Sequence, residues 1–248
     1  MFYARERSDP AGGVYGVEWS FTDRWGGSGR GRSVGFNLGL HVGDSSDVVE
    51  ANRHGLAREF GLRLQALRFM NQQHGCEVAV SAGVKGPVAA DGIISRDAGE
   101  ALVVLVADCV PVLLVDRTAG YVAAVHAGRP GMVGGVVPAA LAKLRELGAQ
   151  EVEAVVGPSV CARCYEVPAA MRDSAADIEP VSASVSWTGT PAIDVGAGVV
   201  AQLVRGGVAV RWLPGCTRED PNLYSYRRDG QTGRFAGVVR LIAPEQVA

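Results

Sequence analysis

Three apolar segments stand almost end to end in the middle of the chain, at 101–106, 110–115 and 120–125, rich in valine, leucine and alanine and separated by three and four residues. Continuous apolar runs of this length, unlike alternating ones, read as strands buried within a sheet. A sheet is therefore the centre of whatever this chain builds. The 101–115 stretch is interrupted by Asp108, Cys109 and Pro111, and it is shorter than the roughly 20 apolar residues a membrane-spanning helix needs.

Around this centre the pattern alternates between periods. A helix is expected over 48–61, a strand over 77–82 after a His74-Gly75 turn, and a helix over 133–147. That last helix carries an apolar stripe of Val133, Val136, Val137, Leu141, Leu144 and Leu147, with Gly148 suited to its C-terminal cap. Further strands are expected at 152–156, leading into Gly157-Pro158-Ser159, and at 238–242. Interleaved strands and helices over 248 residues predict an α/β (α+β) fold with a mixed sheet, organised as one domain spanning 1–248. The segment 182–191 resembles a linker but is too short and mixed to mark a domain boundary. Residues 25–35, with five glycines and two arginines, read as a flexible loop on the surface.

Lys and Arg number 24 against 26 Asp and Glu, and no block of like charge occurs. Neither a nucleic acid nor an anionic membrane finds an electrostatic footprint, which favours small-molecule chemistry. The N-terminus is charged and broken by Pro10 and glycines, unlike a signal peptide, so the chain is expected in the cytoplasm. Five cysteines, at 76, 109, 161, 164 and 216, are an odd number without a disulfide framework. Cys161-Ala-Arg-Cys164 looks like half of a zinc knuckle, but no second C-x-x-C completes it, and these read as free thiols.

Three segments place a strong ligand type at a turn or strand end: Gln73-His74-Gly75, Asp108-Cys109-Val110 and Val125-His126-Ala127. Two imidazoles and a thiolate suit a zinc ion with an open fourth position. Spacing alone leaves alternatives standing, because a cysteine between apolar runs also reads as core and no H-x-x-x-H pair is present.

The ordered motifs narrow this. NLGLHVGD, NR, QQHG, ADG, ADC with proline two places on, HAG, GP followed by CYEV, and YSYRRDGQTGR occur in that order. The string resembles the YfiH-like family, long labelled laccase-domain or multicopper polyphenol oxidase and now regarded as zinc-dependent purine nucleoside phosphorylases. The resemblance spans about 14–242, nearly the whole chain. It implies a layered α/β/β/α fold with mixed sheets. It also implies a metal site, zinc with copper as the other possibility, at His74, Cys109 and His126.

The activity it implies is phosphorolysis of adenosine, inosine, guanosine and methylthioadenosine, with adenosine deamination as a second reaction. Its partners would be purine nucleosides and phosphate, acting on a monomer or homodimer. Phosphate needs cationic or N–H partners, for which Arg53, Arg129, Arg227, Arg228 and Arg234, with the start of a helix near Met132, are candidates. Asn37 and Gln73, within the shared motifs, join this substrate-binding set. Asp91 and Asp108 are candidates to orient a histidine or to act as acid or base, although Asp108 also reads as a structural cap. One departure stands out: the family pattern HAGWRG is here His126-Ala-Gly-Arg129-Pro130-Gly131. Rival readings are a copper phenol oxidase, which the four histidines (41, 54, 74 and 126) disfavour, a hydrolase with Cys109 as nucleophile and His126 as base, and a part in editing peptidoglycan precursors.

Overall fold

The computed structural model describes residues 1–244, Arg32 by its backbone only. In chain order the strands are β1 (Phe2–Ser8), β2 (Gly16–Thr22), β3 (Leu67–Asn71), β4 (Val78–Val80), β5 (Val88–Ala89), β6 (Gly92–Ser95), β7 (Ala101–Val106), β8 (Val110–Asp116), β9 (Tyr121–Ala127), β10 (Glu153–Val156), β11 (Ala183–Val185), β12 (Pro191–Ile193), β13 (Ala209–Trp212) and β14 (Phe235–Ile242). The helices are α1 (Ser46–Glu59), α2 (Arg129–Gly134), α3 (Val136–Glu146), α4 (Ala169–Ile178), α5 (Val195–Arg205) and α6 (Tyr226–Asp229). One sheet runs β1-β2-β14-β7-β3-β5 and a second runs β13-β10-β8-β9-β6-β4, with β11 and β12 as a separate hairpin. Both large sheets are mixed: β7 pairs parallel with β3 and antiparallel with β14, while β10 pairs parallel with β13 and antiparallel with β8.

The unbroken apolar runs are explained by what lies on each side of them. On β7, Leu102, Val104 and Val106 point into the layer between the sheets, and Ala101, Val103 and Leu105 face Leu56, Ala57 and Phe60 of the α1 region. On β9, Val122 and Ala124 meet that same middle layer, whereas Ala123 and Val125 pack beneath Val137, Leu141 and Leu144 of α3 and Val199 and Leu203 of α5. Two sheets back to back with helices outside give an α/β/β/α sandwich in one mixed α/β domain, as the resemblance implied. Each strand needs apolar side chains on both faces.

The departures have physical reasons. The helix expected over 133–147 is two helices. Gly135 takes φ 86, a left-handed conformation that ends α2 and opens α3. The expected start near Met132 is therefore mid-helix, and the Met132 N–H is bonded to the Gly128 carbonyl at 2.8 Å, so it offers nothing to an anion. His126 stands at the strand end where the sequence puts it, next to last in β9 and opposite Pro111 of β8. The linker-like segment 182–191 holds β11 and the turn into β12. The glycine-rich loop 25–35 is tied at several points: Gly29 pairs with Gly35, and Tyr224 Oη donates to the Val34 carbonyl at 2.9 Å. Strands β1 and β2, which the sequence reading leaves unassigned, close one edge, with buried Glu18 of β2 held between Arg5 and Arg240. Among the described residues no helix is long and apolar enough to cross a membrane.

Candidate metal centre and ligand cavity

The two sheets come together at one end of the sandwich through a three-residue corner. β7 belongs to the first sheet and β8 to the second, and Ala107-Asp108-Cys109 carries the chain between them. So sharp a crossing puts Asp108 at φ 93, and the only other non-glycine residue with positive φ among those described is His74, at φ 60. A carboxylate-bearing or imidazole side chain in this region is sustained only where the surroundings hold it. Both surroundings are visible. Asp108 Oδ1 accepts from Thr217 Oγ1 and Ser225 Oγ, each at 2.6 Å, and Oδ2 accepts from the Arg227 N–H at 2.6 Å.

The His74 turn is held by Asp91, which is fully buried just before β6. Its Oδ1 accepts the His74 N–H at 2.9 Å, and its Oδ2 accepts those of Gln73 at 3.0 Å and Gly75 at 2.8 Å. Its Oδ1 also receives Nδ1 of the buried His126 at 2.8 Å. One carboxylate thus sets the turn that carries His74 and the ring orientation of His126. With Nδ1 of His126 engaged, Nε2 is the nitrogen left for the trio.

His74, Cys109 and His126 converge: their ligand atoms all lie within 4.8 Å of one another, with Cys109 Sγ 3.8 Å from His74 Nε2. The two rings meet edge to face at 4.7 Å. Gly128 leaves room for this, since a Cβ there would stand 2.9 Å from His74 Cδ2 and 3.1 Å from Cys109 Sγ. Burial opposes ionisation of Cys109, but the adjacent His126 and hydrogen bonds from both imidazoles outweigh it and pull the thiol down to about 6. Burial likewise disfavours charging His126, yet the Cys109 thiolate and Asp91 raise it to about 9. Asp91 is held below the ordinary carboxylate range despite burial, by the His126, Gly75 and Gln73 hydrogen bonds. Two imidazoles and a thiol that readily gives up its proton fit one borderline ion such as zinc, and leave further positions to a ligand.

The trio lies on the wall of a cavity of about 610 Å³, a size typical of small-molecule sites. Met70, Leu105, Val106, Val160, Val195 and Tyr165 supply its apolar surface. Arg129, Arg227 and Arg234 also line it. Arg227 rests its guanidinium on the Tyr165 ring at 4.9 Å from the centroid. Arg234 donates to the carbonyls of Thr232 and Gly233. The guanidinium of Arg129 has no hydrogen bond or ion pair among the described residues, and that of Arg227 has only the ring.

Other expected contacts lie outside this cavity. Arg53 donates twice to the Leu38 carbonyl and stacks 3.8 Å over the Phe69 ring, and burial lowers it to about 10 in spite of Glu50. Arg228 is committed to the carbonyls of Thr217, Asp220 and Leu223 and to Asp229. Asn37 is buried with all its hydrogen-bonding capacity engaged by Gly39, Asp44 and Arg234. Gln73 folds onto the Asn71 carbonyl. Both oxygens of Asp91 and of Asp108 are engaged as described, Asp91 by His126 and the His74 turn and Asp108 by Thr217, Ser225 and the Arg227 N–H. The sequence reading assigned no role to His41, Asn71, Gln72 or Tyr226, which also line the cavity. His41, Gln72 and Tyr226 sit inside the motifs already noted. Gln72 clamps Leu105 by a pair of backbone bonds at 2.7 and 2.9 Å, which ties the end of β3 to β7.

A two-sheet α/β/β/α sandwich with a His-Cys-His trio at the junction of its sheets defines the class. The family model described as multi-copper polyphenol oxidoreductase laccase matches residues 18–242, and the chain belongs to that family. It is 50% identical over 234 residues to a purine nucleoside phosphorylase of Streptomyces coelicolor, covering 92% of this chain and 97% of that one. It is 34% identical over 260 residues to an adenosine deaminase, RL5, of an unknown prokaryotic organism, covering 95% and 98%. A crystal structure of a Neisseria meningitidis protein superposes with a TM-score of 0.84 at 31% identity, over 96% of this chain and 99% of that one.

Proposed function

We propose that this chain is a metal-dependent purine nucleoside phosphorylase acting on adenosine, inosine, guanosine and methylthioadenosine. The observation that carries the reading is the pair Arg129 and Arg227: cationic, uncommitted to protein carboxylates or carbonyls, and lining an otherwise largely apolar cavity beside the trio. A purine is a flat apolar body and phosphate a compact anion, so this combination matches both halves of the substrate pair. The identity to relatives named purine nucleoside phosphorylase supports the same reading.

In this scheme Arg129 and Arg227, with Arg234 on the same cavity wall, hold phosphate by forked N–H donation and orient one oxygen toward the anomeric carbon. Met70, Val106, Val160 and Tyr165 receive the base and exclude water. As the C1′–N9 bond breaks, its electron pair leaves with the purine, and the phosphate oxygen forms the new bond to C1′. His41, whose imidazole is held below its ordinary pKa by burial and by Arg234, Arg53 and His74, stands neutral at the rim and available for proton transfer. Asp91 and Asp108 keep His126, the His74 turn and the Cys109 corner in place. A zinc-class ion held by His74, Cys109 and His126 supplies Lewis acidity when bound.

The adenosine deaminase among the relatives favours a second reaction at the same cavity. One experiment separates them: metal-defined protein is incubated with adenosine, with and without phosphate, and the products are resolved by chromatography. Adenine with ribose 1-phosphate, formed only with phosphate, supports phosphorolysis, and inosine formed without phosphate supports deamination. Neither product from zinc-loaded protein, together with wild-type behaviour of His126→Ala, rejects the reading. We place the reaction in the cytoplasm, on a monomer or homodimer.

A further inference from the structure

Away from the cavity trio, a second group of ligand-type side chains meets where two loops run side by side. We propose that Cys161, Cys164, Cys216 and Glu219 form a structural cation site of the zinc class. In sequence only Cys161-Ala-Arg-Cys164 has a recognisable spacing. The fold supplies the other half as Cys216-Thr-Arg-Glu219, which has the same i, i+3 separation.

The two halves share backbone geometry. In the first turn the N–H groups of Cys164 and Tyr165 both donate to the Cys161 carbonyl, at 3.0 and 3.2 Å. In the second, those of Glu219 and Asp220 both donate to the Cys216 carbonyl, at 3.1 and 2.8 Å. Each turn therefore presents its first and fourth side chains on one side, as a metal-binding knuckle does. Ser159 and Cys216 form a parallel bridge that sets the turns together, and the Cys161 N–H points at Cys216 Sγ, 3.4 Å away. Cys164 Sγ and Glu219 Oε1 are also 3.4 Å apart, and all four ligand atoms lie within 4.8 Å of one another. A tetrahedral zinc with Zn–S near 2.3 Å and Zn–O near 2.0 Å has ligand-to-ligand edges of roughly 3.5–3.8 Å, so closure onto an ion needs only small side-chain shifts. Trp187 Nε1 donates to Glu219 Oε1 at 3.3 Å, the kind of outer contact that orients a carboxylate ligand.

Four protein donors leave no open position, which makes the site structural and not catalytic. On binding, each thiol loses its proton to solvent and its sulfur lone pair joins the ion, with no change of oxidation state. The position explains what the ion would hold. Val160 and Tyr165, beside the first turn, line the cavity, and Thr217, inside the second, donates to Asp108 at the corner that carries Cys109.

The test is metal content, independent of turnover. Cys109→Ser protein, purified under nitrogen without chelator from zinc-supplemented cells, is expected to retain about one zinc per chain and wild type about two. Cobalt-loaded Cys109→Ser is expected to show intense sulfur-to-cobalt absorption that Cys216→Ser abolishes and Glu219→Ala shifts. If Cys216→Ser does not fold, zinc content and cobalt absorption of Cys109→Ser decide alone, because Cys76 is the only other thiol and lies outside the cluster. Cys109→Ser protein free of bound zinc and of thiolate–cobalt absorption overturns the proposal. So does a disulfide among Cys161, Cys164 and Cys216 in the anaerobically purified protein.

Discussion

Replacing Asp91 by asparagine tests how the trio is held. The carboxylate accepts four hydrogen bonds, two on each oxygen: His126 Nδ1 and the His74 N–H on one, the N–H groups of Gln73 and Gly75 on the other. An asparagine of the same shape has one oxygen and one NH₂. Turned one way, its NH₂ faces the half-buried N–H groups of Gln73 and Gly75; turned the other way it faces the His74 N–H, and His126 can accept from it only by moving its proton from Nδ1 to the Nε2 that an ion needs. One or two donors are thus left without an acceptor; each costs about 1–3 kcal/mol when buried and less when partly exposed, so Asp91→Asn is expected to destabilise metal-free protein by about 1–4 kcal/mol. For a domain of this length that corresponds to a fall in Tm of roughly 2–15 °C. Loss of the outer partner of His126 is expected to weaken zinc binding by about 10–100-fold. Thermal unfolding in the presence of chelator reads the first effect, and competition with a fluorescent zinc chelator reads the second. A Tm within about 2 °C of wild type together with zinc affinity within about threefold would refute the reasoning, since a lost acceptor beneath the trio has to show either in the fold or in the ring that binds the ion.

Three further outcomes are expected. Gly128→Ala places a Cβ against His74 Cδ2 and Cys109 Sγ, so zinc affinity should drop at least about tenfold while Tm moves by only a few degrees; equal affinity by the same competition assay would contradict the contact. Arg129→Ala and Arg227→Ala should lower kcat/KM for phosphate by about 10–100-fold, the range of one or two lost charge-assisted hydrogen bonds, with unchanged Tm for Arg129→Ala and a Tm within a few degrees for Arg227→Ala, which loses only its contact with the Tyr165 ring. Arg228→Ala should do the reverse, lowering Tm through its lost carbonyl and Asp229 contacts. In metal-free protein the Cys109 thiol is lowered to about 6 by His126 and His74 against the opposing effect of burial. A depressed thiol is ionised above that pH and protonated below it, so its alkylation by iodoacetamide should be level between pH 7 and 8 and fall as pH drops through about 6. A rate still rising tenfold per unit at pH 8 would show an ordinary thiol.

How much of this was legible beforehand differs from residue to residue. The apolar runs of β7, β8 and β9 announced themselves because both faces of each strand are covered, and burial on two faces leaves a mark in the sequence that no tertiary knowledge is needed to read. β2 goes unassigned although Val17, Trp19 and Phe21 alternate, because its other face hides Glu18 between two arginines, a pairing made only by β1 and β14. His74, Cys109 and His126 were visible as ligand types in recurring motifs. The resemblance implies their convergence but their spacing does not, because it depends on the chain passing from one sheet to the other at Asp108 and on Asp91, 17 residues beyond His74, reaching back to hold its turn.

Among the arginines, adjacent Arg227 and Arg228 are indistinguishable as letters. The cap that Ser225 makes on the short helix α6, and the bond from the Arg227 N–H to Asp108, turn one guanidinium into the cavity and the other into a nest of carbonyls. The second cysteine cluster has the same origin, since Cys161 and Cys216 are 55 residues apart and meet only through the bridge beside Ser159. The sequence by itself determined which residue types were available and which segments had to be buried, because composition and periodicity act locally. Only the tertiary structure decided which side chains share a space, because that depends on chain reversals and sheet crossings that bring distant residues within bonding distance.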